Sequence, residues 1–174
     1  MADADKTEKI TVNVGVVDLG EIDLLVREGF YANRAEFIRI AIRAQLAVER
    51  LRAARAAIDA VDPSVMLIGR NENFRVPGMS ASDSIARAVA YAEAGADCLF
   101  VPLMLDPGAV AELVAAVKPK PVNVVVHDYD DRIRAFAALG VRRCSVGGSL
   151  AKRVWSAFDA AAQALKRCEA DAVG

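Results

Sequence analysis

Lys9, Thr11 and Asn13 alternate with Ile10, Val12 and Val14, the two-residue period of a half-buried strand. Such a strand turns its polar side chains to one face, where their donors and acceptors suit base edges. Further along, Asn33-Arg34-Ala35-Glu36 opens a helix. Its first backbone N–H groups, together with Arg34, suit a phosphate. Arg70 closes an apolar run, and its planar guanidinium fork matches a carboxylate bidentately. Glu72 is a weaker candidate for the same face, and Asn123, in the apolar run Val122–Val126, is expected like Arg70 at a strand C-terminus. His127, the only histidine, follows that run; a surface or capping role is its plainer reading. Ser145-Val146-Gly147-Gly148-Ser149 precedes a helix start and reads equally as an anion cradle or an ordinary βα loop. The arginines at 39, 43, 50, 52 and 55 read as a solvated helix face.

The elements that must position these residues come in two textures. In the first, Asp18-Leu19-Gly20-Glu21 reads as a capping box opening a helix with Leu19, Ile22, Leu25 and Val26 on its apolar face. Gly29 ends that helix, and Phe37, Ile38, Ala41, Ile42 and Leu46 recur at helical spacing in the next. One strand and two helices bury too little surface for a stable monomer. A dimer in which two such strands pair is the expected solution.

The second texture is repeated βα units. Strands are expected at Val65–Ile68, Cys98–Val101, Val122–Val126 and Arg143–Val146. Helices are expected at Ser82–Ala94, Pro107–Val117, Asp131–Leu139 and Leu150–Arg167. Near-continuous apolar strands belong in a parallel sheet buried on both faces. Four βα units make half of a (βα)8 barrel. The fold class is therefore α/β, with an N-terminal β-α-α module (1–48) and a half-barrel (49–174). Asn33–Asp62 contains neither Gly nor Pro and reads as one long helix shared by the two. The half-barrel leaves two open edges, and two copies closing as one eight-stranded barrel would cover them.

Composition narrows the function classes. Of the 174 residues, 55% are hydrophobic, and 22 Lys plus Arg face 23 Asp plus Glu. That excludes global disorder and a globally basic nucleic-acid binder. The cysteines at 98, 144 and 168 form no CxxC pair. They read as small buried hydrophobes in a reducing compartment. No signal peptide and no membrane helix is legible, so a cytoplasmic protein is expected.

The stretch Glu8–Val14, Val17-Asp18-Leu19 and Gly29-Phe30-Tyr31-Ala32-Asn33-Arg34-Ala35-Glu36-Phe37-Ile38-Arg39 resembles ribbon-helix-helix regulators of the CopG/Arc/MetJ type. The resemblance implies a homodimer reading the major groove through a paired ribbon. Lys9, Thr11, Asn13, Asn33 and Arg34 would then be the DNA contacts. The later stretch resembles the second half of the isocitrate lyase/phosphoenolpyruvate mutase family. The marks are Leu67-Ile68-Gly69-Arg70-Asn71-Glu72-Asn73-Phe74, Tyr91–Pro102, Pro121-Val122-Asn123-Val124 and Gly140–Gly147. That family uses Mg²⁺ on small 2-oxo or enol carboxylates. Arg70 and Asn123 match substrate-carboxylate positions, with Glu72 a weaker candidate. The family's acidic metal cluster and its mobile closing loop have no counterpart here.

The expected function is accordingly a dimeric DNA-binding transcriptional regulator whose non-catalytic half-barrel serves as scaffold or carboxylate sensor, with no cofactor. The partners are DNA, a second copy and a small carboxylate, with no membrane. One alternative is a Mg²⁺-dependent lyase/phosphomutase-type enzyme. The other is a fusion or truncation product without selected function.

Overall fold

The computed structural model describes residues 8–73, 79–127 and 132–172, with side chains described as far as 167. The chain divides into two compact units, Met1–Ala47 and Val48–Gly174.

In the first unit, α1 spans Val16–Arg27 and α2, Arg34–Val61, begins. Helix α1 starts earlier than the capping-box reading placed it. Gly15 is its N-cap, the Gly15 carbonyl accepts from Leu19 N–H, and Asp18 falls in the first turn. There its negative charge favours the helix dipole. The C-terminus follows expectation. Gly29 has φ +81°, its N–H bonds to the Val26 carbonyl, and Phe30 N–H bonds to the Leu25 carbonyl. That double closure needs a left-handed residue, which glycine adopts without a Cβ penalty. Asn33 caps α2, its Oδ1 accepting from Glu36 N–H at 2.9 Å.

The strand expected at Lys9–Val14 is not formed, and residues 8–15 carry no secondary structure. Within one chain that segment has no strand beside it to supply a ladder, and Ile10 stands 71% exposed. A period-two pattern records which face would be buried, but it cannot provide the neighbour.

The second unit carries the rest of α2, then β1 (Ile68–Arg70), α3 (Ala81–Glu93), β2 (Cys98–Phe100) and α4 (Pro107–Ala116). After these come β3 (Val122–Val125), α5 (Arg132–Ala138), β4 (Arg143–Ser145) and α6 (Ser149–Ala172). The four strands lie in sequence order and every neighbouring pair is parallel. This is the pattern of half an eight-stranded barrel. The core gathers Leu99, Val122, Val124, Val110, Leu113, Ala88 and Ala96. Gly69 marks the closest approach of β1 to its covering layer. A Cβ there would stand 3.0 Å from the Ala96 Cβ and 3.1 Å from Leu99 Cδ1.

Arg55, on α2, ties that helix to the sheet. Its Nη1 donates to Asp97 at 2.6 Å and to the Val65 carbonyl, and its Nε donates to Asp59. Asp97 also accepts from Leu67 N–H at 2.8 Å, so one carboxylate holds both the helix and the approach to β1.

Helix α3 opens with a complete capping box. The Ser80 hydroxyl accepts from Asp83 N–H, and Asp83 accepts from Ser80 N–H. The Ser80 hydroxyl and N–H hold the Asp83 carboxyl below its usual range. Its contribution is therefore present above the ordinary carboxylate pKa and is lost as pH falls through the depressed one. We expect Ser80→Ala to cost about 1 kcal/mol in urea unfolding at neutral pH. The difference should shrink in acid; an acid-independent loss would sink the capping account.

Candidate functional site

The pairing register sets the site. Arg70 lies opposite Phe100, and Phe100 lies opposite Asn123. Paired residues of a parallel sheet project to the same face, so these three share one face while Gly69 and Leu99 turn to the other. The row closes β1 and β2 at their C-terminal ends and crosses β3 at Asn123, the second of its four residues. Two strand spacings put the Arg70 and Asn123 backbones about 10 Å apart. A small carboxylate fits in such a gap, bridged by an arginine fork and an amide.

Arg70 is 53% exposed at its side chain and ion-paired with Glu72. Its guanidinium also lies over the Phe100 ring, 5.1 Å from the centroid. Glu72 therefore occupies part of the fork that a ligand carboxylate would use. A pair this exposed is worth only about 0–1 kcal/mol, so it is a small obstacle to exchange. The stacking on Phe100 holds the fork over the sheet.

Asn123 is the opposite case. Only 1% of it is exposed, its Nδ2 lies 3.1 Å from the Ser145 hydroxyl, and its Oδ1 is buried with no partner. Exchanging the amide oxygen and nitrogen preserves a bond to Ser145, because a hydroxyl both donates and accepts. Either way half of a buried amide is left unsatisfied, which costs about 1–3 kcal/mol. With the NH2 outward, that half is a donor for a carboxylate.

Ser145 and Phe100 touch Asn123 and Arg70, and neither is among the expected site residues. The sequence marks Ser145 as a strand residue at the start of a serine–glycine loop, and Phe100 as an apolar strand residue. Register alone brings them to Asn123 and Arg70. Asn71, also almost fully buried, braces the loop after β1. Its Nδ2 donates to the Ser84 carbonyl and its Oδ1 accepts from Asn73 N–H. His127 follows β3 as an exposed residue. In the Ser145–Ser149 loop the Ser149 hydroxyl donates to the Val146 carbonyl at 2.6 Å, an ordinary helix-entry bond. Burial pushes the Cys98 thiol upward, away from nucleophilic use.

No three His, Cys, Asp or Glu side chains gather as a metal-binding group among the described residues. Glu72, two residues past Arg70, is ion-paired with it. These residues do not make a Mg²⁺ site.

The profile of the phosphoenolpyruvate phosphomutase family matches residues 33–166. The chain belongs to that family. Among solved structures, this phosphomutase-family chain is similar to a protein from Burkholderia cenocepacia J2315 assigned as a lyase/mutase. They are 39% identical with a TM-score of 0.65, over 71% of this chain and 45% of that one. A protein of the same organism assigned as a phosphonomutase is 31% identical with a TM-score of 0.61, over 69% and 50%. The fold is also shared with a 2,3-dimethylmalate lyase at 21% identity and a TM-score of 0.62. An uncharacterised protein of Mycobacterium tuberculosis H37Rv is 36% identical over 92 residues, 52% of this chain. The phosphomutase-family chain spans 35% of that relative's length.

These matches overturn the expected DNA-binding regulator and favour the enzyme-family alternative. The family profile begins at residue 33, inside the module that was read as a ribbon-helix-helix fold. The DNA-contact role expected of Lys9, Thr11, Asn13, Asn33 and Arg34 rested on that regulator reading, and none of these matches supports it. The local geometry supplies the physical reason for the last two. Asn33 is spent on capping α2. Arg34 is held in a two-pronged ion pair with Asp23, both contacts at 2.5 Å, and that pair depresses the Asp23 carboxyl. The signature residues are thus explained by helix entry and helix pairing.

No helix among the described residues is long and apolar enough to cross a membrane.

Proposed function

We propose that this chain supplies the carboxylate-binding side of a lyase- or phosphomutase-type site acting on a small 2-oxo or enol carboxylate. One observation carries the reading. The half-satisfied amide of Asn123 is buried on the same sheet row as the arginine fork at the C-terminal end of β1. In barrels of this architecture that end is where chemistry is assembled.

In this reading Arg70 binds the ligand carboxylate bidentately after displacing Glu72, and Asn123 donates to one of its oxygens. Ser145 is the positioning residue that fixes the amide, and Phe100 steadies the guanidinium. These groups bind and orient. No metal-dependent step is derived from them, because the described donors make no cation site.

The test is calorimetric titration of the purified chain with pyruvate and with phosphonopyruvate, each with and without Mg²⁺, and with acetate as comparator. Binding of the 2-oxo acids in preference to acetate is the expected result. Equal or absent binding of all three would remove the carboxylate reading.

A further inference from the structure

The second unit has two loose ends, and they match. Among the described residues, strands β1 and β4 each pair on one side only, since the sheet order runs β1-β2-β3-β4. Each is three residues long and all strands point the same way. Exposed parallel edges are templates for another strand.

Each edge also carries apolar surface. Beside β1, Ala57, Ile58, Val61, Asp62 and Val65 line a cavity of about 250 Å³. Beyond β4, helix α6 presents Val154, Trp155 and Phe158 at helical spacing, with Trp155 and Phe158 exposed at 68% and 64%. The two rings meet edge to face with centroids 5.9 Å apart. The charges are complementary as well. Asp62 rims the cavity, and Lys152 and Arg153 precede the aromatic pair on α6.

We propose that a second copy of this chain covers both edges, β4 of each copy pairing in parallel with β1 of the other. A two-fold axis along the strand direction makes the two seams at once and keeps all eight strands pointing one way. The same operation carries α6 of each copy toward the apolar cavity beside β1 of the other. A one-seam, head-to-tail arrangement would leave an edge open at each end and propagate. The two-fold closes the sheet, and the faces bearing Arg70, Phe100 and Asn123 become one barrel interior. The proposal rests on the sheet edges and stands apart from the carboxylate reading.

Cys144, the exposed residue at the centre of β4, supplies the test. Across a parallel seam, paired backbones lie about 5 Å apart, within disulfide reach. In the 174-residue chain, Met66→Cys and Leu67→Cys in the segment entering β1, and Ile68→Cys at its first residue, would be made singly to scan the register along the β1 edge. Each is oxidised and run on a non-reducing gel, beside Ala115→Cys on the exposed face of α4 as a proximity control. At least one β1 variant should give covalent dimer several times more than the control, and Cys144→Ser in that background should abolish it. Circular dichroism melts confirm that the compared variants are folded. A light-scattering mass of one chain for the parent overturns the proposal. So does β1 cross-linking no greater than the control, whatever the parent's mass, since that places the contact elsewhere. Neither readout involves a ligand, so failure here is distinguishable from failure of the binding test.

Discussion

Arg70→Met is expected to weaken pyruvate binding by roughly 10–100-fold while leaving the melting temperature nearly unchanged. A charge-assisted bond to a carboxylate contributes about 1.5–3 kcal/mol, and every 1.4 kcal/mol is tenfold in affinity. The stability side is small for three reasons. The side chain is half exposed, its partner Glu72 is similarly exposed, and the pair is in the weak class of surface bridges. Methionine also keeps an apolar stem against Phe100, so little packing is lost. Arg70→Lys retains the charge but loses the two-pronged geometry, so it should fall between parent and Met variant. Calorimetric titration at low ionic strength reads all three. Equal affinities across the set would show that the arginine is not a ligand.

The second large effect concerns stability. Leu99 has no exposed surface and sits in the middle strand pair, opposite Gly69 on β1 and Val122 on β3. Gly69 leaves no side chain that could swing into a void, so the site collapses poorly after truncation. Leu99→Ala should therefore cost about 2–5 kcal/mol. At about 2–4 °C per kcal/mol for a chain of this size, the melting temperature should drop by roughly 5–20 °C. The paired control is Leu150→Ala on α6, which is 56% exposed and should stay within about 0.5 kcal/mol. Differential scanning calorimetry decides it. A Leu99 variant that melts with the parent would mean the sheet core is not where the stability lies.

Much of the half-barrel was legible in the sequence because its elements are local. The run Cys98–Val101 becomes β2 and the run Val122–Val126 becomes β3. Ser80 and Asp106 cap α3 and α4 by bonds that span only three residues. The Gly29 closure and the Asn33 cap are equally short-range, and both are formed. The first-unit strand failed because strand formation is not local. Alternation at Lys9–Val14 specifies faces, but a ladder needs a neighbouring strand, and among the described residues none pairs with residues 8–15.

The functional reading failed for a related reason. Asn33, Arg34 and Glu36 make a pattern that regulators of the CopG type also carry, yet capping and ion pairing account for it in full. A short signature records a helix start, and many functions begin a helix that way. Residue type drew Arg70 and Asn123 out of the sequence, but a strand-end position holds for Arg70 alone, since Asn123 is the second residue of β3. Only the tertiary structure decided that the two share a row and that Phe100 lies under the guanidinium. It alone shows the Ser145 hydroxyl engaging one half of the Asn123 amide and leaving the other unsatisfied. The physical reason is register. A slip of one residue along a strand turns every side chain to the opposite face, and nothing in the order of amino acids within a single strand fixes its alignment with the next.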